Sequence, residues 1–335
     1  MEASTIHILS VGHANQVVQL IKKTSDNITL LSVADQVIKE DRIRGDADDY
    51  HNLAVVFTRD FDDYISGYNI VNKGLQYYPN NVDLLADAIY YGSSAGKYGE
   101  CEKHREQLEK LPLPLWNWRA YSFLIDYYLQ KTDWTDSPTD AEMLGLTEKA
   151  LKYAKIEQIA LTGDTEIERG YLAEHKIRVV RERYYRLLSR VGDRQGDKDL
   201  TAKAKEESTK AEEILYTAIN NNTFVATACC LKLADILFDR KKYEETIEIC
   251  NIALKSPQSQ PSAKIGYFLY LIAMSEDAIL YEKELLGDES SVRICYRDYV
   301  GAFRCNSGRF AYLENIKNRL AVLEAKTGFP APELT

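Results

Sequence analysis

The chain has 335 residues, 45% hydrophobic and 28% charged, with a formal net charge of -9 and an isoelectric point near 5.3. Those proportions are globular and exclude disorder as the default for any long stretch, while the acidic balance argues against a dedicated nucleic-acid binder, which needs an excess of Lys and Arg over its binding face. No stretch approaches about 18 uncharged apolar residues, so no membrane span is expected, and a start at Met1 and Glu2 followed by a short apolar run, Ile6 to Val11, carries no basic leader; cytoplasm is the expected compartment.

The first 47 residues allow two readings. Ile6 to Val11, Gln16 to Lys23 and Ile28 to Val33 fit a strand, a helix and a strand, the opening of a nucleotide-binding unit. Ile6, Leu9, His13, Val17 and Leu20 also fall at helical spacing, and two lone parallel strands would have no sheet to join, so a helical cap is preferred.

From Asp48 to Asn81 a complete unit is legible. One helix carries Leu53, Ala54 and Phe57, a turn follows, and a second helix carries Tyr64, Gly67, Val71, Gly74 and Leu75 before Pro79 stops it. Ala54, Phe57 and Tyr64 recur 34 residues on as Ala88, Tyr91 and Tyr98, and Ser122 and Ile125 hold a third register point. A period of that length marks stacked helix-turn-helix units, each burying its apolar face on the next. These residues resemble the tetratricopeptide repeat pattern, with one departure: Ala54 to Tyr64 is one residue longer than the usual inter-helix spacing, a length repeated from Ala88 to Tyr98.

Beyond Gln130 the register is lost to an insertion, Lys131 to Asp140, read as loop from Asp133, Asp136, Ser137 and Pro138. A helix then runs from Ala141 to Ala154. Ile177, Val180, Tyr184, Leu187 and Val191 are spaced 3, 4, 3 and 4 residues apart, an apolar seam that predicts one long helix from Asp164 to Arg190. A polar break at Gly192 to Asp199 leads to a partner helix with Ala204, Ala211, Ile214, Leu215 and Ala218. Leu233, Ala234, Leu237, Tyr243, Thr246, Cys250, Ala253, Leu254 and Pro257 match the repeat pattern best, with its usual spacing. Helices over Ala263 to Leu286, Val292 to Phe303 and Phe310 to Ala325 complete the chain.

The expected fold is therefore all-α: an α-helical solenoid of tetratricopeptide-like helix-turn-helix repeats with a long inserted helical hairpin. The expected divisions are an N-terminal cap over 1–47, repeats over 48–160, the hairpin over 161–222, and a repeat with capping helices over 223–335.

Motifs of chemistry are weak. Gly92 to Lys97 reads GSSAGK, but it is one residue short of a phosphate loop and lacks the hydroxyl residue after Lys. Cys101 and His104 have no second ligand pair at zinc spacing, and Asp46, Asp48 and Asp49 lack the Gly and terminal Glu of a calcium loop. Five histidines and no nucleophile signature give no catalytic reading, so no catalytic residue, metal or cofactor is expected. The six cysteines read as small buried hydrophobes in a reducing compartment, and the 23 tyrosines must fill repeat interfaces or line a surface.

In the tetratricopeptide family the first helices of successive repeats line a groove through side chains three before, one after and four after the small residue. Carried onto this chain, the resemblance implies His51, Val55 and Thr58; Leu85, Ile89 and Gly92; Arg119, Phe123 and Asp126; and Leu231, Asp235 and Phe238. The paired Lys, Asn and Arg of the family's carboxylate clamps are missing there, so an amphipathic helix or extended hydrophobic peptide is the expected ligand, with Arg119, Asp126 and Asp235 setting register. All three tryptophans, Trp116, Trp118 and Trp134, follow or closely trail the Pro112 and Pro114 connector and are either binding anchors or filler at a disrupted junction. Arg183, Arg186, Arg190 and Arg194 form a basic stripe able to dock acidic segments or phosphates, or simply a solvated face. The expected function is a non-enzymatic protein- or peptide-binding adaptor or regulatory subunit. The alternative is a nucleotide- or peptide-responsive signalling protein whose first 60 residues form a small α/β unit and whose repeats act as sensor or partner arm.

Overall fold

The computed structural model describes residues 7–21, 27–61, 63–131, 137–160, 166–221, 226–256, 262–305 and 312–334. Sixteen helices span them and, among the described residues, there is no strand. The chain divides into two units, one of Met1–Thr58 and Tyr64–Val225, the other of Arg59–Asp63 and Ala226–Thr335.

In the first unit, α1 (Val11–Ile21) and α2 (Asn27–Lys39) form an antiparallel hairpin, with the Ile8 N–H donating to Gln36 Oε1 at 3.1 Å. This overturns the strand-helix-strand alternative. Residues 28–33 lie inside α2, where Leu30, Val33, Ala34 and Val37 are buried at i, i+3, i+4 and i+7. A helical apolar face with a hairpin partner to cover it outweighs the β-branched content of the segment.

Three hairpins follow: α3 (Ala47–Phe61) with α4 (Tyr64–Tyr77), α5 (Val82–Ser94) with α6 (Tyr98–Lys110), and α7 (Trp118–Gln130) with α8 (Asp140–Tyr153). Small residues set how closely the helices of a pair approach. A Cβ on Gly67 would stand 2.4 Å from Thr58 Cγ2, one on Gly74 2.9 Å from Tyr50 Cβ, and one on Gly92 2.6 Å from Cys101 Sγ. The GSSAGK segment is a helix exit: Gly92 belongs to α5, Gly96 takes φ +72°, and the Lys97 N–H closes onto Gly92 O at 2.8 Å. Asn81 caps α5 through Leu84 N–H, and Asn117 caps α7 through the N–H groups of Arg119 and Ala120.

After the short α9 (Ile156–Ala160) come the two longest helices, α10 (Glu166–Leu188) and α11 (Lys198–Asn220), 23 residues each. They pair antiparallel: Asn221 meets Tyr171, Ala211 O lies 3.1 Å from His175 Nδ1, and Arg178 meets Glu207. Helix α10 also runs alongside α7 in the same direction, Arg169 lying on Trp118, Lys176 on Ser122 and Asp126, and Arg183 on Leu129 O. The long hairpin thus takes the place a further repeat would take, with its first helix beside the first helix before it.

The second unit holds α12 (Ala226–Asp239), α13 (Tyr243–Leu254), α14 (Ser262–Glu282), α15 (Glu289–Arg304) and α16 (Leu313–Thr327). Its C-terminal core gathers Tyr270, Leu280, Val292, Cys295, Tyr296, Tyr299, Ile316, Leu320 and Leu323, and Gly328 ends α16 at φ +73°.

Tyrosines do both things expected of them. Tyr50, Tyr127, Tyr296 and Tyr299 are fully buried. Several phenols donate to a carboxylate on a neighbouring helix: Tyr68 to Glu100 at 3.0 Å, Tyr128 and Tyr153 both to Glu109 at 2.7 Å, and Tyr299 to Asp277 at 3.0 Å. Each such bond satisfies a polar tip while the ring fills the inter-helix gap. Cys101, Cys229, Cys230, Cys250 and Cys295 are free and buried, Cys305 is partly exposed, and burial holds all six thiols above their ordinary range.

Candidate functional site

The first helices α3, α5, α7 and α10, with Tyr64 at the start of α4, contribute a polar cluster and an aromatic row. The Arg119 guanidinium donates from Nη1 to His51 Nε2 at 2.6 Å and lies 3.0 Å from Nδ1. Arg119 cannot accept a hydrogen bond, so Nε2 is the accepting nitrogen and Nδ1–H donates to the Asp87 carboxylate. Asp83 accepts from Asn117 Nδ2 at 2.6 Å and from Arg119 at 3.4 Å. His51 and Arg119 occupy the same position of two repeats separated by one, and the length of the Arg119 side chain lets α3 and α7 touch across α5.

Asp87 is 1% exposed and its Oδ1 has no hydrogen-bond partner. Burial pushes its carboxyl above the usual carboxylate value, opposed by His51 and then Arg119.

Beside this cluster the rings form a row. Tyr64 meets Tyr90 edge-on at 6.2 Å, Tyr90 stacks on Phe123 at 4.6 Å, and Phe123 meets Trp118 edge-on at 6.3 Å. Arg169 lies over the Trp118 ring at 4.1 Å, with Arg119 at 5.4 Å from the same ring. Tyr64, Tyr90, Phe123 and Trp118 are all partly buried. Next to the row, Lys176 Nζ donates to Asp126 Oδ2 at 2.6 Å and to Ser122 Oγ at 2.7 Å.

Of the residues singled out from the sequence, His51, Trp118, Arg119, Phe123 and Asp126 fall in or beside this neighbourhood. Thr58 and Ile89 do not present themselves. Thr58 is buried, its hydroxyl donating to Ala54 O at 3.0 Å and its methyl packed against Gly67, and Ile89 is 0% exposed. Both are packing residues, turned inward against neighbouring helices. Trp116 is buried between Tyr121 and Tyr153, at 5.3 and 5.7 Å, with its ring N–H unpaired; it is filler at the α7–α8 junction. Trp134 lies outside the described residues.

Asp235 and Phe238 belong to the second unit, where Asp235 accepts from Tyr267 OH at 3.0 Å and Phe238 packs edge-on against Tyr243. The basic stripe is largely tied down: Arg183 donates to Leu129 O at 3.1 Å, Arg186 pairs with Glu182 at 2.8 Å, and Arg190 stands 3.9 Å from Asp140. Arg194 lies in the exposed single turn Gly192–Arg194.

Sequence reading missed Asp83, Asp87, Asn117, Tyr90 and Arg169, and it placed Lys176 only among the basic residues of the long helix, not beside the rings. Asp87 and Tyr90 stand one before and two after the small residue Ala88, positions that the family rule skips. Arg169 and Lys176 lie on the long helix, which carries no repeat register. Among the described residues no group of three or more His, Cys, Asp or Glu side chains could hold a metal ion, and no helix is long and apolar enough to cross a membrane.

The fold and this site define the class: an all-α protein of stacked helix-turn-helix hairpins. No protein-family model matches the chain, and no curated protein matches it. Among solved structures it is similar to the crystal structure of yeast Tom70, at 11% identity over 94% of this chain and 85% of that one, with a TM-score of 0.25. A superposition that loose carries no argument about function.

Proposed function

We propose that the first unit is a non-enzymatic, tetratricopeptide-like adaptor or regulatory module that binds a segment of a partner protein across α5, α7 and α10. One observation carries this reading: a row of four rings, Tyr64, Tyr90, Phe123 and Trp118, is packed edge-on and face-to-face and only partly buried, with two guanidinium groups at its Trp118 end. Aromatic rings held rigid by their neighbours offer apolar area at little entropic cost, and Trp and Arg are over-represented among residues that dominate binding energy. The complementary segment has aliphatic or aromatic anchors for the rings and an acidic side chain for Arg119.

The His51–Asp87 pair resembles a base with its orienting carboxylate, but a base must have its second nitrogen free to take a proton. That nitrogen, Nε2, accepts from Arg119. The pair therefore fits a structural bridge between repeats rather than a catalytic dyad.

The test is selection of peptides from a displayed library on the full chain, followed by titration of the enriched sequences. Trp118→Ala and Phe123→Ala are each expected to weaken binding at least tenfold, a loss of about 1.4 kcal/mol or more, and Arg119→Glu to remove the preference for an acidic position. Unchanged affinity in both ring variants, with far-UV circular dichroism preserved, would remove this face as the binding surface.

A further inference from the structure

Helix α1 is the first helix of the described stack, and its outer face is unlike the rest of an acidic chain. Residues 3–21 contain no Asp, Glu, Lys or Arg, in a protein of net charge -9. Val11, Ala14 and Val18 turn inward and are fully buried, and the Val11 N–H donates to Arg44 O at 3.2 Å. The other side carries Gly12, His13, Gln16, Val17 and Leu20, each partly or largely exposed. Leu9, just ahead of the capping residue Ser10, is 71% exposed, and Leu20, in the last turn, is 70% exposed. These are the two most exposed large apolar side chains among the described residues. The end helix of a stack needs a polar outer face if nothing covers it. Two open leucines at the ends of one uncharged helix, with Val17 between them, mark a contact surface instead.

The order of the residues says what covers it. Two copies of a helix packed antiparallel about a two-fold axis set residue i opposite j and residue j opposite i. With the axis level with the Ala14–Asn15 peptide bond, Leu9 of one copy faces Leu20 of the other, Gly12 faces Val17, and His13 faces Gln16. Each pairing is matched: apolar on apolar, a missing side chain against a branched one, and a ring N–H against an amide. His13 is already oriented for its part, because its Nδ1 accepts from the Leu9 N–H at 3.2 Å. The neutral ring therefore carries its proton on Nε2, free to donate to the amide oxygen of Gln16 in the other copy. Charge points the same way. A charged partner would bury its charges against a face that offers no counter-charge, at a cost. A second copy brings none.

We propose that α1 is a self-association face, and that its occupant is α1 of a second copy of this chain, packed antiparallel. It is independent of the ring row, which is built on α4, α5 and α7. One helix per copy keeps the buried area below about 1,200 Å², the range of weak and reversible contacts. The expected dissociation constant is on the order of 10–100 µM.

The test is sedimentation velocity of the full chain from about 1 to about 200 µM at about 150 mM salt. The 38.2 kDa monomer should convert to a dimer as concentration rises. Raising salt from about 50 to about 500 mM should hold or tighten the dimer, because it screens the repulsion between two acidic bodies, whereas a contact built from ion pairs would loosen. Leu9→Lys and Leu20→Glu should each weaken dimerisation at least tenfold. Combined in one chain they should dimerise at least threefold more tightly than either alone, since antiparallel packing sets each introduced ammonium against an introduced carboxylate of the other copy. Leu115→Glu, the same kind of change at a leucine 60% exposed in the α6–α7 connector, should leave the constant within about twofold.

A chain that stays monomeric at about 200 µM overturns the proposal and leaves the face to a different partner. A dimer indifferent to both Leu9→Lys and Leu20→Glu overturns it as well, by placing self-association elsewhere. Weakening by the single changes without recovery in the double variant overturns the antiparallel register. Both leucines face solvent in the single chain, so far-UV circular dichroism should not change. If a charged variant does lose helix, Leu9→Gln and Leu20→Gln give the same reading of the constant.

Discussion

Glu276, on α14, shows how one buried side chain ties stability to pH. Its Oε2 is buried without a partner, and the group faces Asp298 on α15, itself held in a fork by Arg297 at 2.7 and 2.9 Å. Burial and then the Asp298 charge raise its pKa from 4.5 to about 8, against the opposing pull of Arg297. The folded chain therefore prefers the protonated form. The stability this contributes is fully present below about pH 4.5, declines as pH rises, and is gone once pH passes about 8. Partial exposure reduces the full linkage value to about 2 kcal/mol. Glu276→Gln keeps the shape and a donor toward Asp298 but cannot ionise. Denaturant unfolding of this variant should vary less between about pH 5 and pH 8 than wild type, with a gain of about 2 kcal/mol near pH 8. A variant that tracks wild type across the range would show that Glu276 is solvated. Asp87 follows the same physics, but there His51 and Arg119 oppose the burial that raises it.

Among the elements, the α3–α4 hairpin shows most plainly how spacing in the sequence becomes packing. Gly74 is buried against α3, and a Cβ there would meet Tyr50 Cβ and Cγ at 2.9 Å and Leu84 Cδ1 at 3.1 Å. Those Tyr50 atoms are fixed next to the α3 backbone and cannot swing away. Gly74→Ala should therefore destabilise the protein by about 1–3 kcal/mol, although Ala is about 1 kcal/mol better than Gly within a helix. A rise in unfolding midpoint would mean that the helices can part without loss. Gly67 is a second such position, because its close neighbour is Thr58 Cγ2, a methyl already locked by the hydroxyl bond to Ala54 O.

The same elements show what a repeat reading can and cannot see. Ala54, Gly67 and Gly74 are legible because only small residues permit close backbones. The bridge from His51 to Arg119 is not, because it joins residues 68 apart through a third helix and depends on how the hairpins stack. Similarly, the basic stripe on α10 is visible in the sequence, but which arginines find carboxylates depends on the helices beside them. Arg186 has Glu182 one turn away, whereas Arg181 has no acid on either neighbouring turn.

At the scale of the whole molecule, the net charge of -9 sets long-range behaviour. Duplex DNA is a polyanion whose binding needs several cations spread along one face. The described basic residues are mostly committed to carboxylates or carbonyls within the chain, as at Arg105, Arg178, Lys176 and Arg183. No salt-dependent binding to duplex DNA is expected at about 150 mM salt, where screening reaches about 8 Å; a fluorescence-anisotropy titration giving a steep salt slope would contradict this.

The sequence by itself determined that the chain is helical, where its long helices run and which small residues let hairpins close. These properties are local: they follow from 3.6-residue periodicity, caps such as Asn81 and Asn117, and the steric size of a side chain within one or two turns. It also pointed to Arg119 and Phe123 through the repeat register, and to Trp118 through the clustering of the tryptophans. Only the tertiary structure decided that Ile89 and Thr58 face inward, that Asp87 completes a bridge with His51 and Arg119, and that the long α10 takes the place of a repeat helix beside α7. Each of these depends on the lateral packing of helices far apart in sequence, which no local pattern along the chain encodes.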